Sequence, residues 1–468
     1  MSDEPFRILI LGDFGAREHR GSSDAAGIGA RRPRRVDRDD LDAAIAAVAP
    51  ELRLALEPGS APIVVRVAEL EDFHPDHLIE RLDDFQRLRD LRAQVATGTD
   101  VPPHASSPPR PPTAESTAAR LGGGSLLDMI LDGDAASPAA AVRPRDELSE
   151  YVSQAVRKHA APQRSVDQET LIQQVDDVIA ATMRVVLHHP HFQAAESLWR
   201  GVSFLVQRLD TDEMLQVYVV DLAKSELTAA AGAPAEPAGR ALRKLLRGEL
   251  APGAWSLVVG AYTFAPSETS LIASVAAAAK ETGVPWICAA HARFAGVASF
   301  AESADPDDWD PSPIPEWEAF RRTADAQWIA LTLPRVLLRV PYGARSNECD
   351  AIALEETNDG ELPHDQFLWG NAAFLCAAML GEAAGDGSPA PTHGVIEGLP
   401  LFVGKVDGLA TATPCAEAVL AQRAVVHLLD RGLTVLAGER DGASVRVPRL
   451  QSVALPAARL ASPSSPNQ

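Results

Sequence analysis

At 468 residues the chain is longer than one hydrophobic core normally supports, so two or more domains are expected. Its composition, 46% hydrophobic and 23% charged, is that of a folded globular protein and excludes disordered and collagen-like classes. Asp and Glu total 64 against 43 Lys and Arg, and the net charge of −21 argues against nucleic acid as a partner.

The opening MSDEPFRILILGDF places two acids before an apolar run too short for a secretion signal. No stretch of 18 apolar residues follows, so membrane insertion is not expected and the cytoplasm is the expected compartment. Cys288, Cys349, Cys376 and Cys415 form no CxxC pair and have no zinc-finger spacing, so they read as reduced, buried thiols.

Residues 1–95 read as strand, helix, strand, helix. Phe6 to Leu11 is a continuous apolar run ended by Gly12, as in a strand covered on both faces. Asp37 to Val48 suits a helix with acids in its first turn, and Pro62 to Ala68 a short β-branched strand. From Pro75 onward, Leu78, Leu82, Phe85, Leu88 and Leu91 line one face of an amphipathic helix.

Residues 96–124 change character. VPPHASSPPRPP holds six prolines and GGG closes the stretch, which predicts an extended linker reaching at most about 90 Å. In 125–164, Leu126, Leu127, Ile130 and Leu131 form a stripe too short to be a stable helix alone, so it either docks on a partner or folds back on its own domain.

A main domain over 165–460 opens with a capping-box pattern at Ser165 and Gln168. Two helices follow, one lined by Leu171, Val175, Val178, Ile179, Met183 and Val186, the next by Ala195, Leu198, Trp199, Val202, Leu205 and Val206. They predict a helical hairpin turning at Pro190. MLQVYVVD, SLVVGAYTF, VPWICAA and RVLLRVPYG then alternate with Ala-rich helices, which predicts an α/β fold with a mixed, largely parallel sheet flanked by helices. Residues 461–468 read as a frayed tail.

Signatures of chemistry are weak. His188, His189 and His191 cluster, but Pro190 interrupts them and no acid or cysteine stands at ligand spacing, so a helix-end turn is the better reading than a metal site. The GDFG at Gly12 lacks the other kinase motifs, and phosphate-loop, dinucleotide and nucleophile-elbow patterns do not occur. Glu355, Glu356 and the DPDDWD run read as solvated acidic loops. RRPRR at Arg31 to Arg35 is either an exposed loop or a complement to the acidic surface of a sister subunit. No catalytic, cofactor-binding or metal-ligating residue is assigned.

Two stretches carry a resemblance. ILILGDFGAR, RRVDRDDLDAAI and ELEDFHPDHLIERL resemble the type VI secretion small sheath subunit, the TssB family, with Gly12, Asp13, Phe14, Arg34, Arg35, Asp72, Phe73, Pro75 and Asp76 at its motif positions. LHHPHFQAAESLWRGVSFLV and the segments through RVPYG and LWGNAAF resemble the large sheath subunit, the TssC family. Glu196, Trp199, Arg200, Gly201, Pro341, Tyr342, Gly343, Trp369, Gly370 and Asn371 fall on its pattern.

The resemblance implies a sheath-subunit-like fold and a structural, non-enzymatic role. Its implied partners are other sheath subunits and further copies of itself, an inner tube protein, a baseplate and a ClpV-type disassembly ATPase, the last docking at Leu126 to Leu131. Trp199 is expected as a buried anchor, with Glu196 and Arg200 hydrogen-bonded at the hairpin edge. The Pro-rich linker stands where small subunits continue, and the chain stops before the large subunit's C-terminal region. Both a polymerising fused protomer and a non-polymerising sheath adaptor or cap therefore fit.

Overall fold

The computed structural model describes residues 4–56, 61–97, 168–251, 253–406, 409–440 and 442–462. Strand β1 (Phe6–Gly12) carries apolar side chains on both faces, and from Ile8 to Gly12 every residue is buried. It lies in the interior of a seven-stranded sheet, between β5 (Leu215–Asp221) and β6 (Leu257–Phe264), parallel to both. Phe6 stands opposite Leu215 and Gly12 opposite Asp221.

Beyond β6 come β7 (Trp286–Ala290), β8 (Ile329–Leu333) and the short β14 (Thr434–Val435), all parallel. At the other edge β2 (Arg34–Val36) runs antiparallel to β5. A parallel neighbour needs a crossover, and α6 (Lys224–Gly232), α7 (Pro237–Leu246) and α8 (Thr269–Thr282) supply those between β5, β6 and β7. The expected fold class, a mixed and largely parallel sheet flanked by helices, is what the chain adopts.

Several local expectations are corrected. The first helix, α1 (Leu41–Val48), starts four residues later than Asp37, because Asp37 and Asp40 bond each other's backbone in a turn that competes with the helix. A strand not anticipated, β3 (Glu51–Leu54), pairs antiparallel with β4 (Ile63–Arg66). The helix after Pro75 is two, α2 (Pro75–Arg81) and α3 (Asp83–Thr97), broken where Leu82 turns extended and Asp83 and Asp84 begin a new first turn. Leu82 is still buried, so the apolar stripe survives the break.

In the main part, α4 (Gln168–Leu187) and α5 (Pro190–Arg208) meet at His188 and His189. Ser165 lies outside the described residues. The run RVLLRVPYG does not enter the large sheet; the strand there is Ile329–Leu333 just before it, and Val336–Leu337 (β9) pairs instead with Trp369–Gly370 (β10). After α10 (Ala373–Gly385), small antiparallel ladders join β11 (Gly394–Ile396) to β16 (Val445–Val447) and β12 (Phe402–Val406) to β13 (Leu409–Thr413). All four cysteines are buried and unpaired. Among the described residues, no helix is long and apolar enough to cross a membrane.

Alternation along the strands splits the core in two. Ile8 and Ile10 face a cluster holding Leu52, Val65, Phe73, Ile79 and Phe85 from the first 97 residues, together with Phe192, Trp199, Val202 and Phe374. Leu9 and Leu11 face the other cluster, to which the first 97 residues otherwise add a buried Ile28 alone.

Candidate functional site

The most elaborate polar chemistry lies along the seam between the first 97 residues and the rest. Gly12 ends β1 where a Cβ would come within 3.2–3.3 Å of Leu198 and Ala261, so the backbone approaches α5 closely. Asp13 then folds the next turn, accepting the backbone N–H of Arg17 at 2.8 Å and Glu18 at 2.9 Å. Phe14 stacks obliquely on Trp199 at 4.8 Å, and its carbonyl accepts the Trp199 indole N–H at 3.3 Å.

That turn delivers Arg17 to the start of α6. Its guanidinium donates to Asp221 at 2.6 Å and, with two nitrogens, to Glu226 at 2.7 and 2.8 Å. Arg31 grips the same Glu226 carboxylate with two contacts of 2.6 Å, and the N–H groups of Asp24 and Ala223 add to it. Burial alone would raise the Glu226 carboxyl, but these donors together hold it well below its ordinary value. Glu18 in turn accepts the backbone N–H of Lys224 and Ser225 at the helix start. Arg31 in RRPRR thus meets an acid of its own chain; Arg32, Arg34 and Arg35 are exposed as expected, but Arg34 and Arg35 lie in the edge strand β2 rather than in a loop.

A second contact runs through Asp76. Its carboxylate accepts the N–H of Asp350 at 3.0 Å and of Ala351 at 2.9 Å, while His74 beside it packs edge-on to Tyr342 at 5.0 Å. Pro75 opens α2, and Phe73 meets Phe192 edge-on at 5.5 Å. Asp72 is buried and points elsewhere, holding the N–H of Ala68 and Glu69 and pairing with Arg81. Glu69, Asp72 and His77 are close enough to hold a metal ion, but the Arg81 guanidinium sits on both carboxylates and supplies the positive charge itself.

Behind the seam lies a buried charge network. Glu196 is fully buried and accepts from Arg200 at 2.7 Å and Arg339 at 2.8 Å. Arg339 reaches on to Glu356 at 2.7 Å and lies 4.2 Å from the Tyr342 ring centre. Glu356 also meets His188 at 3.1 Å and the Tyr342 N–H at 2.7 Å. Its burial works to raise the carboxyl, yet Arg339 and these donors hold it down to about 2. Glu356 is therefore no solvated loop acid, and Glu196 lies inside the fold rather than at the hairpin edge. The sequence offers no local sign of this, because the partners are separated by 143 and 17 residues.

The remaining anticipated residues shape backbone. A Cβ on Gly201 would stand 2.6 Å from Phe374, and one on Gly343 2.5 Å from Glu355. Ser346 holds the Pro341 carbonyl at 2.6 Å. Trp369 donates to the His364 carbonyl at 2.6 Å, and Asn371 accepts the Ala373 N–H at 2.9 Å at the start of α10. Trp369, Gly370 and Asn371 line one wall of a cleft of about 590 Å³ whose other walls include Asp13, His19, His191 and Leu198. The structure thus brings Gly12 to Phe14 against Trp199 and this cleft, and Asp76 against the Tyr342 region. Leu126, Leu127, Ile130 and Leu131 lie outside the described residues.

The three histidines do not converge on a metal. His188 serves Glu356, and His189 accepts the His191 N–H at 3.2 Å, capping the N-terminus of α5 rather than meeting carbonyls at a helix end. Arg17, Asp221, Glu226, Arg339 and His19 went unnoticed in the sequence. Only Glu226 had a signal there, an acid three residues into a helix, where it satisfies the Ala223 N–H.

Seen whole, the arrangement is a chain whose first part is bound to its second by a shared sheet, shared core and interlocked charges. Residues 169–452 match the family described as VipB: EvpB/VC_A0108, tail sheath N-terminal domain, and residues 2–97 match that described as Type VI secretion system, VipA, VC_A0107 or Hcp2. The chain belongs to the type VI secretion sheath proteins and joins the small-subunit and large-subunit families in one polypeptide. It is 27% identical over 329 residues to the type VI secretion system sheath protein TssC1 of Pseudomonas aeruginosa. The match covers 64% of this chain and 66% of that relative, so the chain spans just under two thirds of the relative's length.

Proposed function

We propose that this chain is a pre-joined protomer of a type VI contractile sheath, a cytoplasmic structural subunit that assembles with other sheath subunits around an inner tube. The observation that carries this reading is the place of β1: a strand of the small-subunit-like part lies between two strands of the large-subunit-like part. Such a joint transmits force through backbone hydrogen bonds and packed side chains, with no turnover of a substrate. The clefts and charges fit this use, since the strongest charges at the seam are engaged with one another.

In this reading the inner tube, the baseplate and a ClpV-type ATPase are the further partners, the last through Leu126 to Leu131. A heterologous, head-to-tail contact repeated from copy to copy would build open helical tubes. Electron microscopy of the purified chain tests it. Long hollow tubes are expected, and discrete particles that attach to the ends of preformed sheath would replace the protomer with a non-polymerising cap or adaptor.

A further inference from the structure

A histidine cluster spans the seam. His19, from the turn after β1, stacks on His191 with ring centres 4.5 Å apart, and His189 lies 5.3 Å from His191. The rings come from both parts of the chain. His19 Nε2 accepts the Arg53 N–H at 3.2 Å, and the ring also bonds the backbone of Ala16. His189 Nδ1 accepts the His191 N–H, and its ring bonds the backbone of Ala55 across the seam.

An imidazole nitrogen that accepts a hydrogen bond must be unprotonated. Adding a proton to His19 or His189 would turn that acceptor into a donor facing another N–H, and would set a positive charge against the neighbouring ring of His191. His189 also sits at the N-terminus of α5, where the helix dipole opposes positive charge. We propose that His19, His189 and His191 form a proton-sensitive latch between the two parts of the chain, closed while His19 and His189 are neutral and released when they are protonated.

The surrounding charges fit that role. Arg20 lies beside His19 and raises the cost of a further positive charge, although Glu51 pairs with it. Across the cleft stand Asp13, Glu18, Lys224 and Arg335; the acids are engaged by backbone N–H groups, Lys224 by Glu268 and Arg335 by Glu417. Among the described residues, no carboxylate pairs with His19 to stabilise imidazolium there. Burial first, then His191 and Arg20, bring His19 down to about 4, and burial with His191 lowers His189 too.

Because the folded value lies below the ordinary one, the latch is intact above about pH 6.5 and weakens as pH falls toward 4. For His19 alone, the opened fraction should rise roughly 30-fold between pH 7.5 and 5.0. This inference is independent of whether the protein polymerises.

Hydrogen exchange on the full chain, corrected for intrinsic rates, tests it in peptides covering Arg53 and His191. Wild-type protection is expected to fall at least roughly 30-fold over that range, while His19→Gln, which stays neutral, should cut the fall back to the part that His189 supplies. His191→Gln removes the facing ring but neither backbone bond, and should shrink the fall. His291→Gln, a helix-capping histidine within the large part, should leave the fall as in wild type. Unchanged wild-type protection down to pH 5.0, or a full fall in both seam variants, overturns the latch.

Discussion

The two faces of the large sheet are built differently. On one, Ile8 and Ile10 meet α5 and α10 together with the β3–β4 ladder and the helices that follow it, so both parts of the chain supply the core. On the other, Leu9 and Leu11 meet α6, α7 and α8, and nearly every partner comes from after residue 168. The first face is a core that both parts of the chain build; the second is a core built almost wholly by the later part. A defect on the first should separate the parts, whereas a defect on the second should soften the large part with the joint still made.

The largest effect is expected at the buried network that backs the joint face. Arg339→Ala strands the Glu196 and Glu356 carboxylates in the interior and should cost about 5 kcal/mol, read from urea unfolding. The same network sets an acid limit. Glu356 is held down to about 2, so its contribution is complete above about pH 4.5 and is lost as pH falls toward 2. A Glu356→Gln protein should therefore be less stable than wild type at pH 6, with the gap narrowing by pH 3.

Trp199→Ala comes next, at about 4 kcal/mol, since it empties a fully buried site and leaves the Phe14 carbonyl without its donor. Hydrogen exchange should show residues 6–14 losing protection in this variant. In Ile272→Ala, on the second face, α8 should loosen while those residues stay protected. Equal loosening of both regions in both variants would erase the distinction between the faces.

Smaller effects sharpen the comparison at the polar clasp. A double-mutant cycle between Arg31→Met and Glu226→Gln should give a coupling of about 2 kcal/mol, because the paired contacts are charge-assisted and only partly exposed. The smallest test is Ile10→Val against Ile272→Val, each expected to cost about 1 kcal/mol of unfolding free energy in a urea titration.

Apolar pattern made much of this readable in advance. The run from Phe6 to Leu11, the stripe through Leu78, Phe85 and Leu88, and the strands at Val217, Val259 and Ile287 all declare themselves through periodicity, which reports burial directly. Short polar turns did not. Asp37 and Asp40 look like a helix start and are a turn, and Arg34 and Arg35 look like a loop and are an edge strand. The seam was least legible, because Arg31 and Glu226, or Arg339 and Glu196, are joined by tertiary geometry alone; Glu356 differs from an exposed acid only by what surrounds it.

The interior position of β1 bears on how the polypeptide reaches its native state. Strand β1 cannot find either lateral neighbour until residues 215–221 and 257–264 have followed it in synthesis. Until then Ile8 to Leu11 remain a bare apolar ribbon. Such long-range closure is slow and leaves sticky edges open during synthesis. Carrying both pieces on one tether raises their effective concentration for that step, a kinetic benefit separate from anything the finished assembly does.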